Sequence, residues 1–185
     1  MNRIYAPILI LFLAPTHGVL GHSNFDVMFD KIDQLNGTDL LDLAKLRVRK
    51  FNRTISILDG SMELRKDVDD RTELSVRLAY SSKGNNQFNE YPMKIAPQKI
   101  CQFFNSTWRE YYSYFNETTN FPEIGECPVM AKVFTVKNHI LDASMFPPYM
   151  PKGLWRFSIM GHTVGQEEVI INVDVYFKLE DKGIF

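Results

Sequence analysis

Residues 168–178 alternate so regularly that they dictate a strand with one dry and one wet face. Val169, Ile171, Val173, Val175 and Phe177 fall on one side, and Glu168, Asn172, Asp174 and Lys178 on the other. A period of two sends successive side chains to opposite faces of a pleated sheet. The preceding segment repeats the pattern, with Trp155, Phe157 and Ile159 set against Arg156 and Ser158. Gly161 and Gly165 between them suit a short hairpin loop. A chain ending this way must build an antiparallel sheet and cover one face of it.

The same period recurs upstream. Leu74, Val76, Leu78 and Tyr80 alternate with Glu73, Ser75, Arg77 and Ala79, and a period of two also starts at Phe51. Asp59-Gly60 predicts a tight turn leading into Met62 and Leu64. Residues 81–89 read as a polar loop, and Pro92 and Pro97 frame an edge strand. Phe25, Met28, Phe29, Ile32 and Leu35 are instead spaced by three and four, which predicts a helix over 24–35 ending at Gly37. Residues 40–48 fit helix and strand equally.

One segment breaks the β pattern. After Pro97, the residues Ile100, Phe103, Phe104, Trp108, Tyr111, Tyr112 and Phe115 form an aromatic stripe at helical spacing. The stripe either covers a face or end of the sheet or lines an apolar cavity. Downstream, Phe146-Pro147-Pro148-Tyr149-Met150-Pro151-Lys152-Gly153 cannot join a regular element, because each proline removes a backbone donor and fixes φ. Phe146, Tyr149 and Met150 therefore ring a cavity mouth, form a patch for a partner, or cap the core. The predicted class is mainly β, an antiparallel β-sandwich with one inserted amphipathic aromatic helix.

Residues 1–21 have the anatomy of a secretory signal peptide: Arg3, a short apolar run, then small residues at Gly18 and Gly21. Residues 22–185 are left as a single domain. Export is consistent with four Asn-x-Ser/Thr sequons, at Asn36, Asn52, Asn105 and Asn116. It is consistent as well with two cysteines, Cys101 and Cys127, for which one disulfide is the expected state. Of the sequons, Asn52 is the one a strand would hide. The expected location is extracellular.

Several of these features carry a family resemblance. They are Asn52-Arg53-Thr54, Cys101 ahead of the aromatic helix, Cys127-Pro128, Pro148-x-x-Pro151-x-Gly153 and the closing strand pair. Over residues 46–178 the chain resembles a large insect family of small secreted proteins. That family is grouped with the ML lipid-recognition domains, whose best-known relative is the ganglioside activator, and it is similar to the chemosensory A and B proteins linked to pheromone detection. The resemblance implies an immunoglobulin-like sandwich over residues 22–185, with sheets parted enough to admit an acyl chain. One departure is that relatives often carry a cysteine just before the Asn-Arg-Thr strand, where this chain has Arg49 and Lys50.

Motifs for chemistry are missing. The sequence has no Gly-x-Ser-x-Gly elbow, His-Glu-x-x-His helix, Cys-x-x-Cys pair or phosphate-binding glycine loop, so neither catalysis nor a cofactor is expected. Asp33 to Gly37 is a poor calcium loop, with Leu35 at a ligand position. A net charge of −1 without clusters of one sign gives no footing for nucleic acid. The expected function is binding of an apolar small molecule, a lipid or hydrocarbon. Phe104, Trp108, Phe146, Tyr149, Met150, Trp155 and Phe157 are the expected walls, and Lys152 the residue that meets a headgroup. The alternative is an extracellular co-receptor that holds a protein partner, such as a membrane receptor, without burying a ligand.

Overall fold

The computed structural model describes residues 25–182, so the signal-peptide reading of 1–21 lies outside the described residues. Eight strands make two antiparallel sheets: β1 Phe25–Asn36, β2 Leu41–Lys50, β3 Ser56–Leu64, β4 Thr72–Ser81, β5 Asn89–Lys99, β6 Val133–His139, β7 Gly153–Thr163 and β8 Val169–Asp181. The larger sheet runs β1-β8-β7-β4-β5 and the smaller β2-β3-β6. The fold is thus mainly β and consistent with a β-sandwich, with the helical insertion directly before the last three strands. The hairpin of β7 and β8 sits centrally in the larger sheet, pairing Trp155 with Phe177 and Phe157 with Val175.

The inward rows of the two sheets meet in one core. Phe29 of β1 and Val173 of β8 pack with Leu43 and Leu46 of β2, Leu58 of β3 and Val136 of β6. Beyond the reach of the smaller sheet, the segment after β6 takes over. Phe146 and Met150 descend from the proline corner onto Phe25, Val76, Leu78, Trp155, Phe177 and Leu179. This is the direct advantage of stiff prolines at that point: they hold a loop in one shape, so it can carry core side chains.

Three local expectations are corrected. Residues 25–36 form a strand, not a helix, because a bulge at Asp30 imitates helical spacing. Phe29 pairs with Phe177 and Lys31 already pairs with Tyr176, so Asp30 is extra. The inward set becomes Phe25, Val27, Phe29, then Ile32, which reads as steps of four and three. Asp59-Gly60 is likewise no turn. It lies within β3 where the pairing to β6 slips, and Gly60 adopts φ +128°. A Cβ there would run into the Lys45 carbonyl oxygen of β2, so glycine is needed for close backbone approach rather than for a hairpin.

The aromatic helix is two helices, α1 Ile100–Asn105 and α2 Thr107–Phe115, broken at Ser106. The Ser106 hydroxyl donates to the Gln102 carbonyl at 2.7 Å. Such back-bonding to the preceding turn bends helices, and Asn-Ser-Thr is a weak helix-forming run. Cys101 and Cys127 are bonded, Cα atoms 5.3 Å apart, within the usual span of a disulfide. Beside the bond, Asp70 accepts from the Cys101 N–H at 3.0 Å, and Val68 pairs with Val129.

Edge strand β5 slips register against β4 twice, between Leu74 and Val76 and between Arg77 and Leu78. Pro97 falls in the first slip and Pro92 in the second. Residues lacking a backbone N–H are tolerated at such bulged edge positions.

Candidate functional site

The seven expected wall residues divide between two aromatic groups. Trp155 is fully buried at the centre of one, with ring centroids 4.9 Å from Tyr80, 4.7 Å from Tyr91 and 6.4 Å from Phe177. Its indole N–H donates to the Pro151 carbonyl at 2.9 Å, tying corner to strand. Phe146 and Phe157 close the group at 5.0 Å and 4.7 Å from Phe177. Met150 is buried in the same cluster, whereas Tyr149 stands 74% exposed.

Phe104 and Trp108 belong to the second group. Trp108 is buried and donates its indole N–H to the Pro122 carbonyl at 2.9 Å. Phe103, Phe104, Tyr112, Phe115 and Phe121 surround it at 5.4–6.4 Å. From there Phe121 reaches Phe134 of β6, and Phe104 packs with Leu64, Val68 and Ile100. The stripe therefore clamps the helices onto the end of the smaller sheet, away from the corner group.

The helical group meets the sandwich core at a histidine, whose ring centroid lies 6.1 Å from that of Phe29. His139, at the end of β6, is 1% exposed and stacks on Phe115 at 4.6 Å. Its Nδ1 lies 2.8 Å from the Thr118 hydroxyl, and its Nε2 has no partner among the described residues. Burial pushes the imidazole below the ordinary histidine pKa, since the charged form loses its water. Unfolded chain takes up that proton near pH 6.5, and folded chain only below it. Stability should therefore fall as pH drops below about 6.5, because the unfolded state then binds more protons. Thermal melts between pH 7.5 and 5.5 should show a steeper loss for the wild type than for His139→Phe, and equal slopes would show that His139 does not titrate differently on unfolding.

Open space lies elsewhere. Along the outer edge of β1, a cleft of about 670 Å³ separates the larger sheet from the loop before β3 and the segment after β6. Val27, Met28, Ile55, Ile140, Leu141 and Ala143 give it an apolar lining, with Thr54 and the acids Asp26, Asp142, Glu180 and Asp181 around them. That volume is in the range of small-molecule sites. None of these residues was expected to line a site. The bulge at Asp30 hid the direction of Val27 and Met28, and Ile140, unremarked in the sequence, is apolar yet 48% exposed. Lys152, the expected headgroup contact, pairs with Asp181 of the cleft lining.

A smaller hollow of about 220 Å³ lies on the outer face of the larger sheet, lined in part by Arg77, Glu90, Arg156, Ser158 and Asp174. Asp174, expected on a wet face, is 4% exposed. Ser158 donates to it at 2.6 Å, and the Arg156 guanidinium lies 3.9 Å away, itself 4.9 Å from the Phe88 ring. The polar loop thus folds back over the sheet, and hydrogen bonds offset the cost of burying the carboxylate.

Among the described residues no group of three or more His, Cys, Asp and Glu side chains could hold a metal ion, and no helix is long and apolar enough to cross a membrane. Residues 74–157, from β4 into β7, match the model of a family described as a protein of unknown function (DUF1091). No curated protein matches the chain. The match spans the helices, both cysteines and the proline corner.

Proposed function

We propose that this is a secreted, glycosylated, non-enzymatic binding protein for a lipid-like or hydrocarbon ligand, of the kind used in chemosensation for pheromone detection. The observation that carries the reading is the cleft along β1, with Val27, Met28, Ile55, Ile140, Leu141 and Ala143 in its lining. Burial alone suffices as its chemistry. Each CH₂ removed from water contributes about 0.8 kcal/mol, so a ten-carbon chain offers up to ~8 kcal/mol before ordering costs. Resemblance to ML lipid-recognition domains supports a binder. All four sequon asparagines are exposed. Asn52 lies in the loop before β3, not in a strand, with its side-chain oxygen accepting from the Thr54 and Ile55 N–H groups.

The test is organic extraction of protein purified from a eukaryotic secretory host, followed by mass spectrometry. A stoichiometric apolar compound, released together with loss of affinity for added fatty acids or hydrocarbons on Ala143→Trp, is the expected result. Absence of any co-purifying or added apolar ligand would end the reading.

A second reading, recognition of a protein partner, is favoured by one feature. Tyr149 projects from a rigid corner whose neighbours Phe146 and Met150 are core. Exposed tyrosines on stiff loops make good contact anchors. Tyr149→Asp should then abolish partner binding while altering stability by no more than about 0.5 kcal/mol, as for other surface changes. A large drop in melting temperature would instead show that Tyr149 supports the corner.

A further inference from the structure

The cleft along β1 has a charge signature as well as an apolar lining. Among the described residues four carboxylates line it, those of Asp26, Asp142, Glu180 and Asp181, and no basic side chain does. Two of the four are already engaged. Asp181 pairs with Lys152, and Asp142 accepts from the Ser144 N–H and hydroxyl at 2.7 Å each. Asp26 and Glu180 differ: they stand directly opposite each other across the β1–β8 pairing, and neither has an ion pair among the described residues. Like charges facing each other across a strand pair are destabilising. Further along the same two strands Asp33 also faces Asp174, but that pair is compensated: Lys31 bridges to Asp33 at 2.5 Å and Ser158 donates to Asp174 at 2.6 Å. The uncompensated pair therefore falls at the cleft.

We infer that the ligand of this cleft is a cationic amphiphile, an alkyl chain ending in an amine or quaternary ammonium group. The chain would lie on Val27, Met28, Ile55 and Ile140, and the cation would sit between the Asp26 and Glu180 carboxylates. This rests on the apolar-ligand reading above and adds the headgroup. An anionic fatty acid would place like charge against the same rim. Because both carboxylates are exposed, each contact is of the surface type and sensitive to salt.

The experiment is calorimetric titration of the purified protein with three ten-carbon probes below their aggregation limits: decyltrimethylammonium, decanol and decanoate. Decyltrimethylammonium should bind about tenfold tighter than decanol at low salt, from two surface-type ion contacts together. Decanoate should bind more weakly than either, and added sodium chloride should narrow the gap. Asp26→Asn combined with Glu180→Gln should remove the preference and leave melting temperature equal or higher. Equal affinities for the three probes, or a preference that survives the double substitution, would overturn the cationic headgroup while leaving the apolar site standing. Failure of all three to bind would overturn the apolar reading and this inference with it.

Discussion

Trp155→Ala should destabilise the protein by about 3–5 kcal/mol, the range for emptying a large aromatic site in a core. Trp155 has no exposed surface, and Tyr80, Tyr91 and Phe177 surround its ring. The central strands β7, β4 and β8 cannot close over the void without breaking their register, so relaxation will be small. The change also orphans the Pro151 carbonyl, which accepts the indole N–H at 2.9 Å. That loosens the proline corner from the strand it leads into. Trp155→Phe keeps most of the ring but loses the donor, so it should cost clearly less. Chemical denaturation followed by far-UV circular dichroism measures both, and a Trp155→Ala loss below about 1 kcal/mol would mean the corner cluster is not packed as described.

The second large effect is expected from the disulfide. Cys127→Ser opens a loop spanning 26 positions from Cys101, for which chain entropy alone suggests about 3.5 kcal/mol. This bond fixes the start of α1 to the segment entering β6, and α1 with α2 covers Phe134 through Phe121. Free, the helices lose their alignment on the smaller sheet. Secretion yield and melting temperature should both fall, and the double variant Cys101→Ser with Cys127→Ser should match the single one. A variant melting within a degree of wild type would show that Asp70 and the Val68–Val129 pairing hold the helices unaided.

Strands such as β4, β7 and β8 were legible because one face is buried and the register is unbroken over most of their length. Where a bulge intervenes, periodicity reports the wrong element. Asp30 turned β1 into an apparent helix, and the slip at Gly60 turned a strand interior into an apparent hairpin. The break at Ser106 was hidden differently, since α1 and α2 keep one aromatic face and only a side-chain oxygen interrupts them. Aromatic content located the two packing centres but not their separation, which depends on where the corner and the helices land on the sheets. The cleft was the least visible part. Its walls come from five segments, β1, the loop before β3, the link after β6, the 3-10 turn at Ala143 and the end of β8, and no local pattern joins them.

The two slipped, proline-bearing turns of β5 also bear on how copies of this chain can meet. Strand addition to the larger sheet needs a continuous row of backbone donors and acceptors, and β5 interrupts that row at Pro92 and at Pro97. The edge without proline is β1, and growth through this sheet is thereby left to that side. A sheet extendable on one side only can join a second copy back to back, and that pairing uses up both open sides at once. It terminates as a closed pair, where a sheet open at both ends would propagate as a fibre.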